Sequence, residues 1–253
     1  MKIKIVVLFI GFFFQFIGAE VFEGYTLFTQ WSSPGDGGGG GGNTYLMDHN
    51  STVVKSWSHT RNAASMPYLL PDSSIIYPYR VPNPYMNAGG VGGGIQRITW
   101  DGTILWNYFF SDATYQHHHD IEPLPSGNVL IIVWEAKTAQ EAYDMGRQSI
   151  DNPLNMMWSE AILELDPDSG EIVWEWHAYN HLDLNKFSPA TPEGDWLHVN
   201  SIAPLPENKW FDAGDTRFRP GNILVNARNL DMIYLVDKET KAVVWEATHT
   251  YKG

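Results

Sequence analysis

The sequence has no cysteine in its 253 residues. Disulfides, thiolate nucleophiles and cysteine-ligated zinc or iron–sulfur centres are therefore excluded. Positive charge is also scarce: 16 Lys and Arg stand against 29 Asp and Glu, for a formal net charge of −13. Nucleic acid is not an expected partner, because neutralising phosphates needs clustered Lys and Arg. A local cationic pocket for an anionic small molecule is still compatible with an acidic chain. Long stretches with i, i+3, i+4 apolar periodicity are missing too. The best helical candidate is the short segment Ala136 to Arg147.

Aromatics and glycine are plentiful, with 11 Trp, 12 Tyr, 12 Phe and 23 Gly. Together with short β-branched runs, they point to an all-β fold. At the N-terminus Lys2 and Lys4 precede an apolar run from Ile5 to Phe13, continuing through Phe16 and Ile17 to Gly18, Ala19 and Glu20. This pattern predicts a signal peptide over residues 1–19 and a secreted or periplasmic chain that is not membrane-embedded after cleavage. A membrane anchor is the alternative, but the run is short of the roughly 20 residues a spanning helix needs. Asn50-Ser51-Thr52 is a glycosylation sequon, meaningful only in a eukaryotic host.

Four segments share one pattern of apolar strand, Asp-led turn, second apolar strand and Trp. They run Tyr45–Asp48 to Trp57, Ile98–Gly102 to Trp106, Leu163–Asp166 to Trp174, and Tyr234–Asp237 to Trp245. Each reads as a β-hairpin with a tryptophan wedge. Between them recurs a second unit. Glu122-Pro123-Leu124-Pro125 leads through Gly127-Asn128 to Val129–Ile132, and Ala203-Pro204-Leu205-Pro206 leads through Gly221-Asn222 to Ile223–Val225. Met66–Pro71 followed by Ile75-Ile76 is a degenerate copy. Two hairpins per period make a four-stranded sheet, and repeated sheets of this kind predict a β-propeller over residues 20–253. A β-sandwich is the alternative. Gly37–Gly42 and Gly89–Gly94 read as loops, and Trp210–Pro220 as a charged insertion between strands. Only three to four blades fit this length, so the expectation is a partial propeller, truncated or closed by other means.

The histidines cluster. His117-His118-His119-Asp120 precedes one Pro-Leu-Pro unit, and His198-Val199-Asn200-Ser201 precedes the next. Counted back from Pro-Leu-Pro, His117 aligns with His198 and His119 with Asn200. Equivalent positions of successive blades point to one axis, so these groups are expected to converge. Arg228 follows the strand Ile223–Val225, and its counterpart in the preceding repeat falls near Trp134-Glu135. A guanidinium fork beside histidines suits sulfate, phosphate or carboxylate. Arg228 could instead pair with Asp231 or Glu135. His177 and His181 could ligate a metal, although a polar loop fits better. Asp166-Pro167-Asp168-Ser169-Gly170 lacks the ligand spacing of a calcium loop and reads as a turn.

The runs Gly24–Phe28, His118–Ile121 through Gly127-Asn128, Asp195-Trp196-Leu197-His198-Val199-Asn200-Ser201 and Ala227-Arg228-Asn229 together resemble the arylsulfotransferases. The Asp-Trp-x-His-Val-Asn-Ser run is the most specific of them. The resemblance implies a six-bladed propeller and sulfuryl transfer from an aryl sulfate to a phenol through a sulfated histidine, with no nucleotide donor and no cofactor. It casts His198 and Arg228 as catalytic stabilisers, with His118 or His119 the member from the preceding blade; His117 and Asn200, aligned with His198 and His119 by repeat count, are the candidates for substrate binding. It places the nucleophilic histidine in a later blade, in a Gln-His motif past Gly253; His249 lies in no such motif. Two other readings compete. A quinone-dependent dehydrogenase shares Trp-tagged repeats but would want a calcium ion and a cofactor clamp. A non-catalytic propeller would turn the histidines and Arg228 away from the axis.

Overall fold

The computed structural model of the protein describes residues 23–30, 41–186 and 194–248. The expected signal peptide, most of the first glycine run and His249 lie outside these residues. Among the described residues, four antiparallel sheets are arranged radially as propeller blades. Blade 1 comprises β1 (Tyr25–Thr29), β2 (Asn43–Asp48) and β3 (Val53–Ser58). Blade 2 comprises β4 (Tyr68–Leu69), β5 (Ile75–Arg80), β6 (Gly93–Ile98) and β7 (Ile104–Phe109). Blade 3 is the longest, with β8 (Tyr115–Pro123), β9 (Val129–Thr138), β10 (Met156–Asp166) and β11 (Glu171–His177). Blade 4 comprises β12 (Val199–Pro204), β13 (Ile223–Ala227), β14 (Met232–Val236) and β15 (Val243–Thr248). In blades 2 to 4 the chain runs in simple order from the innermost strand to the outermost.

The two repeated sequence units map onto the two hairpins of a blade. The Pro-Leu-Pro unit ends the innermost strand and turns through Gly-Asn into the second strand. The Asp-led unit joins the third strand to the outermost. Its aspartate caps the turn from the side: Asp48 Oδ1 accepts from the N–H of Asn50 and Thr52, and Asp237 Oδ1 from those of Glu239 and Thr240. Asp166 likewise accepts from the N–H groups of Asp168 and Ser169, so Asp166–Gly170 is a turn. Each outer hairpin carries a register shift at the same place, after Leu46, Arg97, Glu164 and Leu235. These bulges add twist where the blade splays outward.

The middle strands are buried on both faces because a blade packs against a neighbour on each side. β9 has no exposed side chain from Val129 to Trp134, which is why its sequence there, VLIIVW, is continuously apolar rather than alternating. Neighbouring blades are also latched by polar tips of aromatic wedges. Trp57 Nε1 donates to the Thr99 carbonyl at 2.9 Å, Tyr108 Oη to that of Pro167 at 2.8 Å, and Trp176 Nε1 to that of Lys241 at 3.0 Å. The ladder registers put Trp57, Tyr108 and Trp176 at one equivalent position. The tryptophan of the first repeat thus stands two residues along the ladder from Trp106 and Trp174, with which the shared sequence pattern groups it.

The expected helix is shorter than the sequence suggests. Ala136–Thr138 complete β9, and α1 spans Ala139–Asp144 with a capping box between Thr138 and Glu141. The insertion after the second Pro-Leu-Pro unit holds α2 (Lys209–Asp212) and a 3-10 turn at Thr216–Phe218. No helix among the described residues is long and apolar enough to cross a membrane.

Ile131 is fully buried on β9 between Ile121, Val133, Ala161 and Leu163. Ile131→Ala is expected to lose about 2–5 kcal/mol of stability in urea unfolding. Val54→Ala, on the exposed outer strand of blade 1, should change it by less than about 0.5 kcal/mol.

Candidate active site

The innermost strands of blades 3 and 4 carry the histidines. β8 departs from regular pairing exactly where they fall: His117 pairs with Val133 and Ile121 with Ile131, so three residues bulge against one. β12 holds a smaller irregularity between Val199 and Ser201. Blade 3 therefore has one residue more than blade 4 here. The ladder places His117 at the level of Val199, not of His198 as counting from Pro-Leu-Pro suggests. His119 and His198 both adopt left-handed backbone, at φ 51° and 49°. Such conformations strain a residue with a Cβ and persist where the surroundings over-determine them. Their effect is to bring the two rings together, with centroids 4.7 Å apart and edge to face.

Each imidazole has its own anchor. His118 is fully buried, stacked on Trp134 at 4.1 Å, and its Nε2 lies 2.7 Å from Glu160 Oε2. Its Nδ1 lies 2.9 Å from His119 Nδ1, so one proton sits between the two rings. His119 Nε2 has no hydrogen-bond partner among the described residues. His198 Nδ1 is bonded to Asp195 Oδ2, and the other carboxyl oxygen of Asp195 accepts from Trp134 Nε1 at 3.1 Å. Gly194–Trp196 runs parallel to β10 through Trp158, which fixes Asp195 in place. His117 is fully buried one layer below, its Nδ1 accepting the Gly93 N–H at 3.0 Å.

The second glycine-rich stretch exists to admit these rings. A Cβ on Gly90, whose φ is +81°, would sit 2.1 Å from the His119 ring, and one on Gly92 would sit 2.2 Å from that of His117. His119, Asp120 and Asn200 line a cavity of about 440 Å³ at the hub, together with Ser65, Met66 and Gly90. The Ser65 hydroxyl is buried with no partner among the described residues. Arg228 follows β13 at the position Trp134 occupies after Val133 in blade 3. It is exposed, and its guanidinium forms no hydrogen bond or ion pair with a described residue. Its backbone N–H reaches the His198 carbonyl at 3.3 Å. Glu135 pairs instead with His177 and Lys137.

Electrostatics follow from burial. His117, His118 and His119 are all pushed down to about 3, first by loss of hydration and then by charge on neighbouring groups. For His118 the Asp195 carboxyl works against this shift. For His119, His118, His198 and then Arg228 add to it, partly countered by Asp195. Glu160 is raised well above the ordinary carboxyl value by burial and by the nearby Asp195. Asp120 is raised to about 6, again chiefly by burial. His117, His118 and His119 are thus neutral at pH 7, beside the Arg228 guanidinium.

His118, His119, His198 and Arg228 therefore come together, and Asn200 shares the cavity with His119. His177 and His181 do not form a site: His177 bonds Glu135 at 2.8 Å and His181 stacks on Trp176. No three acidic or histidine side chains among the described residues are placed to hold one metal ion. The sequence reading missed the roles of Glu160, Asp195 and Trp134. The signal for Glu160 is a lone carboxylate inside the largely apolar run Met156–Leu163, and Asp195 stands three residues before His198.

A β-propeller with His119 on its hub cavity, backed by the carboxyl-anchored rings of His118 and His198 and flanked by an exposed arginine, defines the class. The family profile Arylsulfotransferase (ASST) matches residues 89–251, and the chain belongs to that family. No curated protein matches the sequence. Among solved structures, a protein of unknown function from Bacteroides caccae aligns at 16% identity and TM-score 0.40, over 89% of this chain and 73% of that one. Kuenenia stuttgartiensis hydrazine synthase aligns at 12% identity and TM-score 0.43, over 78% and 46%. Likenesses at this level carry no argument about chemistry.

In imidazole ¹⁵N NMR, His117, His118 and His119 are expected to stay neutral as pH is lowered to 5. His177, raised by its bond to Glu135, should protonate above the usual histidine value of about 6.5. Protonation of His119 near pH 6.5 would contradict the burial argument.

Proposed function

We propose that the protein is a sulfotransferase that moves a sulfuryl group from an aryl sulfate to a phenolic acceptor through a sulfated histidine, without a nucleotide donor. Membership of the family supports small aryl substrates. The observation that carries the reading is the meeting of His119, on the wall of the hub cavity, with the ring of His198 at 4.7 Å. The charge of Arg228 acts on that same histidine.

An aryl sulfate presents three sulfuryl oxygens that share negative charge and a flat apolar ring. Arg228 offers a planar fork of donors to those oxygens. His119 offers a ring N–H held in fixed orientation by His118, and His198, tied through Nδ1 to Asp195, packs edge to face beside it. Such preorganised donors stabilise charge that develops as the S–O bond breaks. The Ala63, Ala64 and Met66 side of the cavity suits the aromatic ring, and Asn200 and Ser65 offer polar contacts. His117 supports the wall from beneath. The resemblance assigns the sulfated histidine to a separate Gln-His motif, and that intermediate divides one transfer into two. The N-terminal segment directs this activity to the periplasm or the cell exterior.

The full chain, taken to include the Gln-His histidine that the resemblance calls for, is expected to transfer sulfate from 4-nitrophenyl sulfate to a phenol with no nucleotide present. Arg228→Ala should lower kcat/KM by about 100-fold, and Arg228→Lys should restore little of it because a point charge lacks the fork. No transfer by the full chain, or transfer unaffected by Arg228→Ala, contradicts the proposal.

A further inference from the structure

The sulfuryl-transfer reading leaves one buried titratable group unused. Glu160 stands in the middle of β10 with its side chain 1% exposed. One carboxyl oxygen accepts the Val199 N–H at 2.9 Å, and the other meets His118 Nε2 at 2.7 Å. His118 passes the contact on to His119 through the Nδ1–Nδ1 approach of 2.9 Å. Trp134, stacked flat on His118 at 4.1 Å and 7°, holds the middle ring in line. The result is an unbranched hydrogen-bonded chain from a buried carboxyl group to an imidazole on the cavity wall. Its far end, His119 Nε2, is the free one.

Resting on that reading, we infer that Glu160 is a positioning residue that stores and returns the proton His119 exchanges with the phenol oxygen. At rest Glu160 Oε2–H donates to His118 Nε2, His118 Nδ1–H donates to His119 Nδ1, and His119 Nε2 carries the hydrogen that faces substrate. In the first half-reaction the bond from sulfur to the aryl oxygen breaks, its electron pair staying on oxygen, while sulfur bonds to the nucleophilic imidazole nitrogen. The aryl oxygen takes the proton from His119 Nε2. His119 Nδ1 takes that of His118 Nδ1, and His118 Nε2 takes that of Glu160. The negative charge finishes on Glu160, where the Val199 and His118 N–H groups hold it. In the second half-reaction the acceptor phenol gives its proton to His119 Nε2 and its oxygen bonds to sulfur. The S–N bond breaks with its electron pair returning to imidazole, and the chain of protons runs back to Glu160.

The other titratable groups around this chain are His117 and Asp120 on β8, Asp195 and His198 before β12, Arg228 after β13, and Tyr234 on β14. None is bonded to Glu160 through its side chain. Burial keeps the Glu160 carboxyl protonated in the resting site, in keeping with the direction of its shift.

Two measurements on the full chain test this. The first compares leaving groups. Glu160→Gln keeps the shape and can still bond His118, but it cannot release a proton. Its loss in kcat/KM should be about 100-fold greater for phenyl sulfate, whose leaving group needs a proton, than for 4-nitrophenyl sulfate, whose leaving group does not. Glu160→Asp should recover part of the difference. Equal losses for the two donors, or none, overturn the inference while leaving the transferase reading intact. The second needs no substrate: imidazole ¹⁵N NMR should find His119 protonated at Nε2 and His118 at Nδ1. The opposite tautomers overturn the relay. The predicted tautomers in a chain that transfers no sulfuryl group would instead uphold the relay and refute the transferase reading. A Glu160→Gln chain that fails to fold leaves the tautomer measurement to decide.

Discussion

Two carboxyl groups, Glu160 and Asp195, are buried where blades 3 and 4 meet, and the arrangement of the site follows from their need for partners. A carboxyl group without a hydrogen bond in apolar surroundings costs about 1–3 kcal/mol, and more when ionised. Glu160 is satisfied by His118 and the Val199 N–H, and Asp195 by His198 and Trp134. The Glu160–Val199 bond crosses between blades, since Glu160 belongs to β10 and Val199 to β12. Satisfying the two carboxyl groups fixes both the docking of the two blades and the direction of two imidazole rings. The remaining ring, His119, is then caught between His118, His198 and the bare backbone of Gly90.

The hub is the place where a propeller gathers side chains from distant parts of the sequence, and here regular β structure is given up to do so. A three-residue bulge in β8 and left-handed backbone at His119 and His198 turn side chains that would otherwise alternate across the sheet. The outer part of each blade is built the opposite way, with repeated Asp-capped turns, bulges at equivalent positions and aromatic latches to the next blade. A regular periphery holds an irregular centre, and the irregular residues are the ones with reactive side chains.

Much of this was legible in the sequence. The Asp-led turns and Pro-Leu-Pro units mark the two hairpins of each blade, because turn chemistry is local. The clustering of His118, His119, His198 and Arg228 follows from repeat equivalence, since Arg228 occupies in blade 4 the place Trp134 holds in blade 3. Counting from Pro-Leu-Pro failed for His117, because a bulge changes the residue count without leaving a sequence mark. Glu160 and Asp195 were not assigned because their partners lie 42 and 3 residues away. The first of these contacts depends on packing between strands, and the second on a left-handed turn. The short helix after β9 was overextended, since Ala136–Thr138 favour a helix by composition and are held in the sheet by pairing with β10.

The central claim is that His119, His198 and Arg228 serve one anion-sized space. A crystal structure of the full chain with phenyl sulfonate, which cannot pass on its sulfur group, tests it most directly. The account predicts sulfonate oxygens within hydrogen-bond reach of the Arg228 guanidinium and of the free ring nitrogens of His119 and His198, with the phenyl ring toward Met66. A sulfonate bound away from these three residues, with the hub cavity left empty, would contradict it.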